Sequence, residues 1–315
     1  MSLFNFFKRS KVLYYIQNGF LDVLPRSLFH KKLNNWINNQ NNYSKKETQE
    51  RVSYYINPNL PKENIKGTLL KNLKKKGHKS MYYYDFMKYG RYFNQNLAIN
   101  YTFGDVDTDV ESISFVKSRP INHNGNSVLL PLDSLRHFHF IKDSKSFSEK
   151  KNEAVWRGVI HKENRRLLVD NFHDHPKMNI GTTHQKNSKP NWIKDYLTLE
   201  NQLAYKFIIS IEGIDVATNL KWIMSSNSLC FMPKPKFETW YMEGKLTPNF
   251  HYVLIEDDYS DLEAKMDYYS KNIDEAEKII VNAKNWTQKF KDKKLEKLLS
   301  LKVMNNYFKS TNQIN

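Results

Sequence analysis

The sequence predicts an α/β protein with largely parallel sheets, organised as two domains. Short apolar runs alternate with segments of helical periodicity, which is typical of layered folds whose helices connect parallel strands. The chain has 315 residues, more than one ordinary domain contains. Its 40% of hydrophobic residues, with 14% aromatic, suffice to form buried cores. The predicted strands are 97–103, 112–116, 127–130, 154–156, 206–211 and 228–232.

Helical segments precede and follow these strands. Helices predicted at 27–39, 45–56 and 80–93 form a basic helical extension, residues 1–95, packed on the first domain. Residues 96–150 complete this N-terminal domain, and residues 151–290 form the C-terminal domain. A closing helical pair is predicted at 260–291, with Asp261 placed to cap it, followed by a basic and partly frayed tail, 291–315.

The charge balance favours an anionic partner. Lys and Arg number 49 against 33 Asp and Glu, which gives a formal net charge of +16. Nucleic acid, an anionic lipid surface and a phosphorylated substrate would each satisfy such a charge. Charge alone therefore does not choose among them.

Cysteine usage and the hydropathy of the N-terminus predict a cytoplasmic protein. The single Cys230 cannot form an intrachain disulfide, and no Cys and His cluster has zinc spacing, which fits a reducing compartment. Residues 1–10 lack the apolar core and cleavage site of a signal peptide, and no apolar run reaches about 20 residues. We therefore expect no export signal and no membrane span.

Polar residues follow several predicted strands, where open α/β sheets bind their ligands. The loop after strand 206–211 could bind phosphate through backbone N–H groups, with Asp215 or Thr218 capping a helix that runs to Met224. The alternative is an ordinary strand-to-helix turn that binds nothing. Arg157 and Arg165 carry planar guanidinium groups that suit phosphate oxygens, although structural ion pairs and surface charges are commoner roles.

An acidic group follows strand 97–103 and contains Asp105, Asp107, Asp109 and Glu111. Its carboxylates could hold a divalent cation, supply one general base, or form a solvated loop. These three alternatives stay open on the residues alone.

Several ordered motifs resemble glycosyltransferase family 90, which includes capsule-associated and lipopolysaccharide-modifying transferases and protein O-glucosyltransferases. The motifs read FGD at 103–105, VKSRP at 116–120, WRG at 156–158, GIDVATNLKWIMSSNS at 213–228, MPKP at 232–235, ETWYMEG at 238–244 and HYV at 251–253. The resemblance covers residues 100–285. It does not cover the first ninety residues.

The resemblance implies a GT-B-like fold, in which two Rossmann-like domains face each other across a cleft, and an inverting transfer of a glucose- or xylose-type sugar from a UDP-sugar. Residues 96–150 would then lie on the acceptor side, and residues 151–290 would bind the nucleotide sugar. The implied partners are this donor, a glycan or lipid-linked acceptor of the lipopolysaccharide or capsule type, and peripherally an anionic membrane, with no nucleic acid, no obligatory metal and no other cofactor.

The resemblance also implies roles for particular residues. The catalytic base maps best onto Asp109. Asp105 is the alternative, because the family motif can be aligned to this segment in registers that differ by several residues. Lys117, Arg119 and Glu243 are candidate contacts to acceptor or donor. The donor-binding candidates are Arg157, Arg165, Gly213, Ile214, Asp215, Val216, Ala217, Thr218, Asn219 and Lys221. In the eukaryotic branch an Arg stands at the position of Asn219, so Lys221 is a candidate to replace its charge.

A function of another class competes with the transferase. The basic balance and the many Tyr and Phe residues would also suit a non-catalytic nucleic-acid binder. The sequence has no zinc finger, no RNA-recognition hallmark and no concentrated basic stripe, and this alternative leaves the ordered motifs unexplained.

Overall fold

The computed structural model describes residues 3–38, 42–60, 62–186 and 188–315. They fall into two compact units. The large-sheet unit is built mainly from His137–Lys236 and Met242–Phe290. The helical unit comprises Arg9–Arg136, Phe237–Tyr241 and Lys291–Asn315.

Helices make up much of the described chain. In chain order they are α1 (Leu3–Val23), α2 (Ser27–Asn38), α3 (Lys45–Tyr55), α4 (Ser80–Gly90), α5 (Ser134–His137), α6 (Glu163–Phe172), α7 (Leu199–Gln202), α8 (Leu220–Met224), α9 (Leu262–Lys271), α10 (Ile273–Gln288) and α11 (Lys293–Ser310). None of the described helices combines the length and the apolar character needed to cross a membrane.

The strands are short, apart from the first strand of the large sheet. They are β1 (Thr68–Leu69), β2 (Ala98–Ile99), β3 (Tyr101–Thr102), β4 (Ser114–Val116), β5 (Ser118–Pro120), β6 (Ser127–Leu129), β7 (Lys151–Gly158), β8 (Met178–Thr182), β9 (Tyr205–Ile209), β10 (Leu229–Met232), β11 (Phe237–Thr239) and β12 (Val253–Leu254).

The large-sheet unit contains one five-stranded sheet in which every strand pair is parallel. Its spatial order is β12-β10-β9-β7-β8, so that in chain order the strands stand 2-1-3-4-5. This is a doubly wound order, in which the chain reverses its direction of travel across the sheet between β7 and β9. Every residue of β9 and β10 is buried, as expected for strands with both faces covered.

The helical unit contains a three-stranded parallel sheet, ordered β3-β4-β6, and two small antiparallel pairs, β1-β2 and β5-β11. Its core is aromatic: the ring of Phe115 on β4 lies 5.2 Å from that of Phe86 on α4 and 4.1 Å from that of Tyr307 on α11. Such ring pairs stabilise a core beyond the area that they bury.

The segment Phe237–Tyr241 packs as core of the helical unit. Trp240 is buried and stacks on Tyr55 with ring centroids 3.6 Å apart, so its indole is a packing residue. Beside it, Arg119 of β5 forms a buried ion pair of 2.9 Å with Glu238 of β11. The remaining guanidinium nitrogens of Arg119 donate to backbone carbonyl groups of Tyr54 and Ser127, so this side chain is fully engaged inside the unit.

The predicted α/β architecture with parallel sheets is confirmed. Each of the six predicted strands overlaps an observed strand, and the three N-terminal helices and the closing pair form as expected. Residue 39, the predicted end of α2, and residues 1 and 2 of the N-terminal segment lie outside the described residues. The sequence pattern did not predict α1, because its apolar residues are interrupted by polar and charged ones.

Two expectations at the C-terminus were wrong. Asp261 occupies the first cap position of α9, but its carboxylate accepts a hydrogen bond from the Glu256 N–H and pairs with Lys265 instead of capping the helix. Residues 291–315 do not fray: they contain α11, which buries Leu298, Leu301 and Phe308. Apolar side chains three or four positions apart give this Lys-rich helix a buried face.

Candidate active site

A pocket lies at the carboxyl ends of β9 and β10, beside the point where the large sheet reverses its winding. Doubly wound sheets bind their ligands at this edge. Its walls come from the segment after β9, the loop before α8, the segment after β10, and single residues of α6 and the later loops. The lining residues are Asn164, Ser210, Ile211, Glu212, Val216, Ala217, Leu220, Met232, Pro233, Lys234, Pro235, Lys236, Glu243, Asp257 and Tyr259.

Arg165 of α6 holds the segment that forms one wall of this pocket. Its guanidinium donates to three backbone carbonyl groups, those of Val159 at 2.9 Å, Ile211 at 2.9 Å and Glu212 at 3.1 Å. The group also packs over the indole of Trp156, 5.8 Å from its centroid. Burial lowers the pKa of Arg165 from its ordinary value, but an arginine stays charged at any physiological pH.

Gly213 permits this close packing. A Cβ at this position would lie 3.0 Å from a terminal guanidinium nitrogen of Arg165, closer than nearly all Cβ contacts in proteins. The Gly213 N–H then donates to the Asp215 carbonyl at 2.9 Å, which tightens the turn that follows. The glycine is therefore required by the position of the arginine.

The loop that follows brings Val216 and Ala217 to the pocket wall and turns Asn219 inward. The Asn219 amide donates to the Ile209 carbonyl and accepts from the Ser210 hydroxyl, both at 3.1 Å. The short helix α8 starts only at Leu220, and no side chain caps its first turn. The expectation that Asp215 or Thr218 caps this helix was therefore wrong. Asn219 occupies the cap position, and its side chain bonds to the end of β9 instead of capping the helix.

Lys221 and Glu243 form a buried ion pair behind the pocket. Their side chains are 0% and 1% exposed, and the ammonium lies 2.5 Å from a carboxylate oxygen. Glu243 lines the pocket, while Lys221 stands behind it. Met242, the residue before Glu243, has the left-handed φ of 58°, a conformation that costs a side-chain-bearing residue roughly 1 kcal/mol or more. The chain thus bears local strain where it presents this carboxylate.

Two lysines line the outer part of the pocket and differ in their contacts. Lys236 pairs with Asp257 at 2.9 Å, and its backbone N–H donates to Glu212. Lys234 is exposed, and within the described part of the chain its ammonium takes part in no ion pair or hydrogen bond. The MPKP motif contains Lys234, yet the cations that the sequence analysis singled out were Lys117, Lys221 and arginines.

Arg157 does not line this pocket. It lies on β7, where its guanidinium donates to the carbonyl groups of Asp195, Trp156 and Asn179. Arg157 therefore has a structural role, as the alternative in the sequence analysis held, but its partners are backbone carbonyl groups and not an acidic side chain.

In the helical unit, the acidic loop after β3 separates into two kinds of carboxylate. The Asp105 side chain is 32% exposed and pairs with the buried Lys117 at 2.5 Å. Burial opposes its charged form, but the hydrogen bond and charge of Lys117 outweigh that effect and lower the pKa of Asp105. Asp109 is exposed, and its carboxylate accepts from the backbone N–H of Asn124.

Asp133 is a fully buried carboxylate of this unit. Its side chain is 0% exposed and pairs with Arg136 at 2.9 Å through one oxygen, while the other oxygen has no hydrogen-bond partner in the described residues. Asp133 also has a left-handed φ of 54°. Burial raises its pKa, and the charge of Asp105 adds to this increase. No sequence pattern pointed to it, because an isolated Asp after an apolar strand is common.

The family of the chain follows from comparison with known proteins. A family model described as Glycosyl transferase family 90 matches residues 133–312, more than half of the chain. The chain belongs to glycosyltransferase family 90. It is also 44% identical over 230 residues to a curated protein of Dichelobacter nodosus named O-glucosyltransferase LpsA, an alignment that covers 73% of this chain and 72% of the relative. The protein is thus a glycosyltransferase, and the matched residues include the whole pocket.

The structure brings together part of the predicted donor set of this transferase. Val216, Ala217 and Glu243 line the pocket, and Arg165, Gly213, Asn219 and Lys221 contact its walls from behind. Lys117 and Arg119 lie in the helical unit, paired with Asp105 and Glu238. Among the described residues, no three His, Cys, Asp or Glu side chains are grouped as metal ligands.

The contacts of Arg165 predict that the protein loses stability when the guanidinium group is replaced. We expect Arg165→Lys to lower the free energy of unfolding by about 1–3 kcal/mol, because one ammonium cannot serve three carbonyl groups. The neighbouring Arg166→Lys is the matched control, since the Arg166 guanidinium pairs with the exposed Glu163 and lies over the Trp192 ring, contacts that a lysine can also make. Urea unfolding followed by tryptophan fluorescence compares the two variants. Equal stabilities would contradict the assignment of Arg165 as a clamp.

Proposed function

We propose that this transferase moves a glucose- or xylose-type sugar from a UDP-sugar to a hydroxyl group of a lipopolysaccharide, capsule or related surface glycan, with inversion at the anomeric carbon. The observation that carries the proposal is the pocket at the carboxyl ends of β9 and β10, with the unengaged ammonium of Lys234 in its wall. A nucleoside diphosphate needs such a cation, because negative charge grows on the leaving group during transfer.

The donor site is assigned to the large-sheet unit. Apolar side chains of Val216, Ala217 and Met232 offer a surface for the nucleoside, and Lys234 offers charge for the diphosphate. Arg165 and Asn219 keep the wall in place through backbone contacts and therefore act as positioning residues. The name of the Dichelobacter relative, an O-glucosyltransferase, supports glucose as the sugar and oxygen as the acceptor atom.

The acceptor base is assigned to Asp105 rather than Asp109. Asp105 follows a parallel strand, pairs with the buried Lys117, and stays ionised at neutral pH because Lys117 lowers its pKa. Asp109 is exposed and already accepts from a loop N–H. In the proposed step the base takes the proton of the acceptor hydroxyl. The acceptor oxygen bonds to the anomeric carbon, and the carbon–oxygen bond to the diphosphate breaks, so that UDP leaves with the electron pair.

The arrangement proposed for the whole enzyme is of the GT-B type, with the large-sheet unit binding the donor and the helical unit supplying the base. The transferase would act at the cytoplasmic face of the membrane on a lipid-linked or lipopolysaccharide-type acceptor, in peripheral contact with anionic lipid. The charge of the leaving diphosphate would be met by protein cations, without an obligatory metal. Family membership favours this enzyme over the alternative of a nucleic-acid binder.

The first test concerns the diphosphate. We expect Lys234→Gln to weaken UDP binding by about 1.5–3 kcal/mol, the usual range for a hydrogen bond to a charged group. Lys236→Gln is the matched control in the same pocket, because its ammonium is already engaged by Asp257. Isothermal titration calorimetry with UDP measures both. If both variants and the wild-type protein bound UDP with equal affinity, Lys234 would not belong to the donor site.

The second test concerns the metal. We expect sugar transfer to continue in excess EDTA at the rate seen without it, because the proposed site neutralises the diphosphate with a lysine. Transfer of radiolabelled sugar to a membrane glycolipid fraction gives the rate. A loss of transfer that manganese restores would contradict the proposal and direct attention to the acidic loop of residues 105–111.

The third test concerns the base. We expect Asp105→Asn to lower the transfer rate by about 10²–10⁴-fold, the usual contribution of a general base, and to leave UDP affinity unchanged. Asp109→Asn is the matched control and should retain the transfer rate. Thermal unfolding of both variants detects any structural effect of losing the Asp105–Lys117 pair. If Asp109→Asn were the inactive variant, the assignment of the two carboxylates would be reversed.

A further inference from the structure

Helix α1 exposes an apolar face to solvent. The side chains of Val12, Ile16, Phe20 and Val23 are 57%, 63%, 64% and 78% exposed. Their spacing of four, four and three residues places them along one side of an α-helix. Leu28, at the start of α2, is also exposed, at 52%. Exposed apolar residues that occur singly need no explanation, but a continuous row of them marks an interaction surface.

The opposite face of α1 packs on the helical unit, through hydrogen bonds and through the ring of Tyr14, which lies 6.5 Å from that of Tyr84. The Tyr14 hydroxyl donates to the Asp85 carboxylate of α4 at 2.7 Å, and Asn18 is buried. Asp22 accepts from the Tyr83 hydroxyl at 3.0 Å. A helix at the surface of a globular protein ordinarily turns its apolar side inward. Here hydrogen bonds hold α1 in the reverse orientation, with its apolar side available to a partner.

A basic loop lies beside the C-terminal half of this helix. Residues 71–79 read KNLKKKGHK, with five lysines and no acidic residue. Lys75 pairs with Asp22 of α1 at 2.9 Å, which fixes the loop next to the helix. Its neighbours Lys74 and Lys76 are exposed, as are Lys31 and Lys32 of α2. The C-terminal half of α1, which carries Phe20 and Val23 of the apolar row, therefore has a basic loop next to it.

We propose that this α1 face, formed by Val12, Ile16, Phe20 and Val23, binds the surface of an anionic lipid bilayer together with the exposed Lys74 and Lys76 of the adjacent basic loop. Apolar side chains of an interfacial helix enter the boundary between headgroups and acyl chains, and lysines around them contact lipid phosphates. The inference deepens the membrane contact of the proposed function by assigning its surface. It does not depend on the identity of the donor sugar.

Charge argues for lipid over a second copy of the chain. Two copies paired through this face about a twofold axis would bring the same surface of each together. Each copy carries a formal net charge of +16, and like charges repel when two such copies meet. An anionic bilayer instead meets the apolar row and the lysines with complementary groups.

Vesicle sedimentation of the full chain tests the surface. The probes are vesicles of phosphatidylethanolamine with about one third phosphatidylglycerol, compared with vesicles of phosphatidylcholine alone. We expect the unchanged protein to bind the anionic vesicles. The double variant Ile16→Gln/Phe20→Gln should bind them at least about tenfold more weakly, since each buried apolar side chain contributes more than a factor of ten when fully inserted. Lys74→Gln/Lys76→Gln should lose about fivefold per lysine and most of the salt dependence.

The matched control is Val281→Gln, an equally exposed apolar residue of α10, which should bind vesicles as the unchanged protein does. Circular dichroism and UDP affinity, measured for every variant, establish that the chain remains folded. Vesicle binding by a chain that binds no UDP would support this inference and contradict the donor pocket. Equal vesicle binding by all variants would overturn the membrane-binding inference. An Ile16→Gln/Phe20→Gln variant that changes only from dimer to monomer in light scattering would overturn it as well.

Discussion

The guanidinium of Arg165 is the contact on which the pocket depends. Parallel strands end in backbone carbonyl groups that no neighbouring strand satisfies, and a loop leaving such an edge has to find donors for them. Arg165 supplies three N–H groups in a fixed plane to the carbonyl groups of Val159, Ile211 and Glu212. It therefore joins the segment after β7 to the segment after β9, across the point where the sheet reverses. Gly213 follows from this contact, because a side chain there would displace the guanidinium.

A buried ion pair between Lys221 and Glu243 lies behind the pocket. Bringing Lys221 and Glu243 out of water costs several kcal/mol for each ion, and their mutual attraction offsets this cost only when the geometry is good. A buried pair of this kind contributes little net stability but fixes the position of both groups. Glu243 is consequently presented to the pocket in one orientation, while the nearby Lys234 keeps an unengaged ammonium. The pocket combines a fixed carboxylate with an unengaged cation, which suits recognition of a ligand that has both hydroxyl groups and phosphates.

Much of the fold could be predicted from the sequence, because apolar runs of four to six residues report buried parallel strands directly. The strand at 206–211 and the loop from Gly213 to Asn219 were found in this way. The role of Arg165 was harder to predict. An arginine two helical turns after a strand serves a phosphate or a set of carbonyl groups equally well, and only the positions of Ile211 and Glu212 decide between them. The helix α11 was missed because its lysines concealed a row of apolar residues.

The distribution of positive charge explains why composition alone was a poor indicator of function. Arginines such as Arg157 and Arg165 are engaged by backbone carbonyl groups, where their charge strengthens hydrogen bonds without attracting a ligand. Lys117 and Lys221 are paired with carboxylates inside the protein. The charges of these two lysines are therefore cancelled by their partners, whereas the two arginines keep their charge but have their N–H groups occupied.

The cations left for outside partners therefore have separate uses. Lys234 lies in the pocket of the large-sheet unit, and the lysines of residues 71–79 border the apolar face of α1 in the helical unit. A nucleic-acid binder would need these charges in one continuous track along a polyanion. A transferase that takes a diphosphate donor and works at a lipid surface needs two separate sites, one enclosed and one open. Lys234 in one unit and the lysines of residues 71–79 in the other agree with the needs of a transferase.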